Sequence, residues 1–175
     1  MSEQPGRYQR SFSGMVGAMV ILVLVVVGFV VFRDLNRNDP PSPVHPVDWV
    51  TPAKYARTAA DFPLLAPHQL PDGWIATSVG FTPGKKQAWH LGCLTGDRRY
   101  VGLEQSHQPI PAMVEQYVDP DASQGDDVTT AGQTWQTWTD SGGDLALVRR
   151  GADLTTLVVG RVPQTTLETF IATLH

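Results

Sequence analysis

The chain has 175 residues, 42% of them hydrophobic and 17% charged, with a formal net charge of -4. Beyond the N-terminal third, Lys85-Lys86, Arg98-Arg99 and Arg149-Arg150 are scattered doublets rather than a cationic stripe, which argues against nucleic acid as a partner. Cys93 is the single cysteine, so an internal disulfide is excluded and the fold must be held by its core.

Residues 1–13 are short and polar and read as a cytoplasmic tail. Residues 14–32, GMVGAMVILVLVVVGFVVF, are an unbroken apolar run with Arg10 before it and Arg33 after it. As a helix this run rises about 28 Å, close to the ~30 Å of a bilayer's hydrocarbon layer, so the expectation is a single transmembrane helix in contact with membrane lipid. No small-x-small cleavage site follows it, and no cysteine follows for lipid attachment, so the expected segment is an uncleaved signal anchor. Arg7 and Arg10 on one side nearly balance Arg33 and Arg37 on the other. The short tail then decides orientation, with the C-terminal domain expected outside the cytoplasm and the protein in the cell membrane.

Residues 33–50 form a linker whose prolines at 40, 41, 43 and 46 favour an extended polyproline stem. The remainder, 51–175, is the size of one ordinary domain. Thr51-Pro52 reads as a capped start to a short helix that Pro63 ends. Three strands follow: Trp74 to Phe81, Gln87 to Thr95, and Tyr100 to Ser106, the last two joined through Gly96-Asp97. Alternation in the second puts Trp89, Leu91 and Cys93 on one face and His90 on the other. Pro109 and Pro111 open a helix with an apolar stripe at Ile110, Met113, Val114 and Tyr117.

After an acidic loop, Asp119 to Asp127, the pattern returns with strands at Thr134 to Thr139, Leu145 to Arg150 and Thr155 to Val162. A final helix begins at a capping box of Thr165 and Glu168 and carries the stripe Leu167, Phe170, Ile171 and Leu174. Each half reads as three strands and a helix, a possible βββα repeat. The expected fold class is α+β: an N-terminal transmembrane helix, then a two-layer domain with an antiparallel sheet of about six strands. Both C-terminal-type helices would cover one face of that sheet, with a short N-terminal helix in addition.

No pattern of residues identifies a reaction. His90 and Cys93 fall short of a zinc ligand set, and the acidic loop departs from a calcium loop at its glycine and at Thr130, where a bidentate acid belongs. No strained Gly-x-Ser-x-Gly elbow is present, so no catalytic residue, metal site or cofactor is assigned. Trp74, Trp89, Trp135 and Trp138 fall on strands and are the candidate platform for a ligand or partner, together with Glu104. The function expected is a non-catalytic extracytoplasmic binding or sensing module for an envelope protein or envelope ligand. The alternative is a membrane-tethered enzyme or metal-dependent envelope factor using Glu104, His90 or the acidic loop.

Leu70-Pro-Asp-Gly-Trp74-Ile-Ala-Thr-Ser78, Trp89-His-Leu-Gly92 and Tyr100-Val-Gly-Leu-Glu-Gln-Ser106 resemble motifs of an actinobacterial family of membrane-anchored proteins, a domain of unknown function. The resemblance implies a single-pass envelope protein and supplies no activity or site residues.

Overall fold

Strands alternating at period two, separated by Gly, Pro and Asp turns, build the C-terminal unit around one antiparallel sheet. The computed structural model describes residues 12–35 and 44–175 and divides into two units, Met1–Pro43 and Val44–His175. In the first unit lies helix α1 (Phe12–Leu35). The second holds α2 (Val50–Ala59), β1 (Ile75–Thr82), β2 (Ala88–Leu94), β3 (Tyr100–Ser106) and α3 (Ile110–Tyr117). These are followed by β4 (Ser123–Gln124), β5 (Val128–Thr130), β6 (Gln133–Thr139), β7 (Leu145–Gly151), β8 (Leu154–Gly160) and α4 (Gln164–Ile171).

Three features of the expected fold class are corrected. The first is the transmembrane helix over 14–32: among the described residues, no helix is long and apolar enough to cross a membrane. The tail up to residue 11 and the proline-rich stretch at 36–43 lie outside the described residues.

The second correction is the strand count. The sheet has eight strands in the order β1-β2-β3-β8-β7-β6-β4, with β5 also paired to β6, and every pairing is antiparallel. The two additional strands come from the acidic segment and its flank. Ser123 and Gln124 pair with Thr139 and Trp138, and the Thr137 hydroxyl donates to the Asp126 carbonyl at 2.7 Å. Backbone groups along β6 thus find partners in a stretch whose composition suggested a solvated loop.

The third concerns the helices, which lie on opposite faces of the sheet. Leu167, Phe170 and Ile171 of α4 share a core with α2's Ala53 and Ala56 and with Trp89, Leu91, Leu103, Leu147 and Val158. Met113 and Val114 of α3 pack with Ala146, Val148, Leu157 and Val159 on the other side. The register explains this. From the third strand onward the two βββα series are offset by 54 residues, Tyr100 corresponding to Leu154 and Ile110 to Gln164. Leu103, however, pairs with Val158 and not with its equivalent Leu157. Because neighbours along a strand face opposite ways, equivalent residues and the helices that follow them take opposite sides.

Helix starts also differ in detail from the expected caps. Asp48, and not Thr51, caps α2 by accepting from the Val50 and Thr51 amides at 3.0 and 3.3 Å. At α4 no side chain caps the first turn, and Glu168 instead accepts from Gln164 Nε2 at 2.7 Å. The C-terminal end is fastened by a bridge between Pro67 and Leu174 and by Arg57, which donates to the His175 carbonyl at 3.2 Å.

Candidate functional site

On the face where α3 packs, the helix covers β7 and β8 and leaves the β1–β3 half to other side chains. The open half carries Ser78, His90 and Glu104, one from each of three neighbouring strands. His90 pairs directly with Glu104 and with Gly80, and Ser78 pairs with Gly92, one diagonal step from His90. Ser78 reaches this face because of a bulge. Between Ala76, which pairs with Cys93, and Ser78 the register slips by one residue, so two residues that would share a side of a regular strand point to opposite sides.

The three side chains form a relay. The Ser78 hydroxyl lies 2.7 Å from His90 Nε2, and His90 Nδ1 lies 2.5 Å from Glu104 Oε1. A neutral His90 with its proton on Nδ1 donates to Glu104 and accepts from Ser78, whereas a protonated one donates at both nitrogens. Glu104 is only 4% exposed. Burial raises its pKa above the ordinary carboxylate value, and the hydrogen bond and positive charge that His90 offers, with Tyr117 beside it, pull the other way. The Tyr117 phenol is raised, first by its own burial and then by the Glu104 charge.

Tyr100 lies over the floor of this half-face. A methyl group at Gly102 would meet the Tyr100 hydroxyl at 2.8 Å, and one at Gly92 would collide with the Ser78 hydroxyl and approach the Tyr100 ring at 3.0 Å. Glycine at both positions makes room for the ring and for Ser78. Tyr100 is 43% exposed, and its phenol is pushed up to about 12, chiefly by burial and then by Glu104. Along the same face, past Ala88 and Ser106, the relay adjoins a hollow of about 400 Å³ walled by Lys85, Lys86 and Gln108.

Of the five residues singled out in the sequence, only Glu104 belongs to this relay. Trp89 and Trp135 are buried in the core beneath α2 and α4. Trp74 stacks on Phe170 with ring centroids 5.5 Å apart, and Trp138 packs beside α3's cluster with its indole donating to Gln136. The structure does not bring the four tryptophans together, and three of them lie on the face that α2 and α4 cover. Cys93 is likewise buried there, its thiol pushed up to about 12 by burial, with the strand backbone between it and His90. Ser78 and the pairing of His90 with Glu104 are what sequence reasoning missed. One signal for the pairing was present: a turn centred on Asp97 sets His90 opposite Glu104.

Comparison with protein families decides the classification. The profile of the family described as "Protein of unknown function (DUF4245)" matches residues 7–174. The chain belongs to that family. The family is a domain of unknown function, so membership supplies no activity for the relay, and no curated protein matches the chain.

Proposed function

We propose that this DUF4245 protein is a non-catalytic binding or sensing module of the cell envelope, and that its ligand is a hydroxyl-bearing envelope component seated on the open half of the sheet. The observation that carries the proposal is the Ser78–His90–Glu104 relay beside the half-exposed ring of Tyr100. A hydroxyl both donates and accepts, which suits Ser78, His90 and Tyr100 in one patch, and a sugar ring gains further by lying against an aromatic face. The expected membrane association rests on α1, whose Met19 to Val27 are exposed apolar residues that lipid contact would cover. In this reading the Val44–His175 unit works on the outer side of the membrane.

A second reading is favoured by the order of atoms in the relay. Hydroxyl on Nε2 and carboxylate on Nδ1 is the arrangement of nucleophile, base and orienting group in acyl-transfer enzymes, with Ser78 as nucleophile. One experiment separates the two. Full-length protein in detergent is titrated with soluble envelope oligosaccharides while the His90 and Tyr100 resonances are followed, and in parallel is treated with a fluorophosphonate and with simple esters. Saturable shifts that Ser78→Ala and Tyr100→Ala weaken support binding. Labelling at Ser78 with ester turnover, both lost in Ser78→Ala, replaces it with hydrolysis.

A further inference from the structure

A second cavity, of about 440 Å³, opens on the opposite face of the sheet at the β7–β8 turn. Its walls include Phe62, Pro63 and Leu154, which are apolar, and Arg149, His107 and Asp153. Arg149 is held in an unusual way. Its Cζ lies 5.5 Å from the centroid of the buried Trp135 ring, and its Nη1 donates to Gln133 Oε1 at 3.0 Å. Its Nε is buried, and among the described residues no acceptor meets it.

A guanidinium takes the two oxygens of a carboxylate along one edge, and the edge formed by Nε and Nη2 is the one left when Nη1 is committed elsewhere. A buried N–H without an acceptor destabilises the folded chain, so an oxygen supplied from outside would relieve that cost. The aromatic face of Trp135 fixes the plane in which that edge lies.

The other charges at the cavity sort themselves. His107 donates through Nδ1 to the Asp153 carbonyl at 3.1 Å, and its Nε2 lies 3.0 Å from the Asp61 carboxylate. The hydrogen bond that His107 gives to Asp61 raises the His107 pKa, so the Asp61 charge is answered locally. The carboxylate of Asp153 belongs to an exposed turn residue. We infer that this cavity is a binding site for a small organic carboxylate with an apolar body, its carboxylate on the Nε–Nη2 edge of Arg149 and its body against Phe62, Pro63 and Leu154. The volume falls in the range of small-ligand sites. The site lies on the other side of the sheet from the relay and stands or falls independently of the function proposed above.

The test uses full-length protein in detergent, titrated with benzoate and hexanoate and, separately, with inorganic phosphate. Two signals report on the site: the Arg149 Nε–H resonance of the unaltered protein and fluorescence from Trp135, identified by its loss in Trp135→Phe. Saturable binding of both carboxylates that shifts the Arg149 Nε–H is the expected result, with Arg149→Lys weakening it by about tenfold or more because an ammonium lacks the two-toothed edge. Leu154→Trp, which keeps Arg149 and fills the cavity, is expected to abolish binding. No saturable shift at millimolar carboxylate overturns the inference. So does phosphate binding as tightly as hexanoate, since the apolar walls would then contribute nothing.

Discussion

Glu104 and Leu157 sit directly opposite each other in the centre of the sheet, on the same face, both buried. One is a carboxylate tied to a histidine and the other a leucine packed beneath α3. The difference separates two uses of facing positions in the fold: the β7–β8 half of that face is closed by a helix and serves stability, while the β1–β3 half is left without one and holds polar groups in fixed geometry. A carboxylate at 4% exposure is costly unless paired, and His90 supplies the pairing.

The largest expected effects come from truncating side chains buried beneath the helices. Leu157→Ala should destabilise the protein by about 2–5 kcal/mol, measured by chemical denaturation, because the site is fully buried between strand and helix and cannot collapse around the loss. Phe170→Ala, which removes the stacking partner of Trp74 on the other face, should cost about 3–5 kcal/mol.

Next comes a pair of glycines that share one neighbour. A methyl group at Gly160 would meet the Tyr100 backbone carbonyl at 2.5 Å, and one at Gly102 would meet the Tyr100 side chain, its hydroxyl at 2.8 Å and its ring at 3.1 Å. Gly160→Ala should therefore cost about 1–3 kcal/mol through forced backbone movement. Gly102→Ala should cost less, and displace the Tyr100 ring, visible as a change in its fluorescence and ring resonances. Equal costs would show that the ring is as immobile as the backbone.

Replacing Glu104 with Leu sharpens the contrast most directly. Removing one partner of a buried pair costs about 3–5 kcal/mol when the other is left buried and charged, and His90, whose side chain is 34% exposed, can turn to water instead, so the loss should stay below that range. Ligand binding at the open half should be lost. A loss of stability as large as that of Leu157→Ala would mean that the relay is structural.

The smallest effects are those of pH. Glu104 has a folded-state pKa raised above its ordinary 4.5, mainly by burial. Its contribution to stability is therefore fully present below about pH 4.5 and is lost as pH rises through the raised value. Glu104→Gln should accordingly gain stability relative to the unaltered protein as pH rises through that window. His107 is raised from its ordinary 6.5 by its hydrogen bond to Asp61. Its contribution is present below about 6.5 and disappears above the raised value, and Asp61→Asn should flatten that part of the curve. The pair is largely exposed, so the change is small and shrinks with added salt.

Much of the element order was legible because its signals are local. Alternation placed Trp89, Leu91 and Cys93 on one face, where the structure has them in the core, and the stripes of α3 and α4 run through Met113, Val114, Leu167, Phe170 and Ile171, all buried. The strands β4 and β5 escaped because short, polar segments carry no periodicity and are strands only by pairing with β6. Ser78 escaped for a different reason. A single inserted residue at the Ala76–Ser78 bulge reverses which side it faces, and no count along the strand shows where such an insertion falls. The tryptophans were read as an exposed platform because large aromatic residues on strands suit a core and a binding surface equally well.

From composition and periodicity alone follow the helix at α1, the six longer strands of the domain and the helices that flank them, since each shows in the spacing of apolar and turn residues along its own stretch. Which face each helix covers, which half of the sheet stays open and which histidine meets which carboxylate depend on strand register. Register was decided only when β3 and β8 paired, because a shift of one residue there would have turned Glu104 and Leu157 to opposite sides.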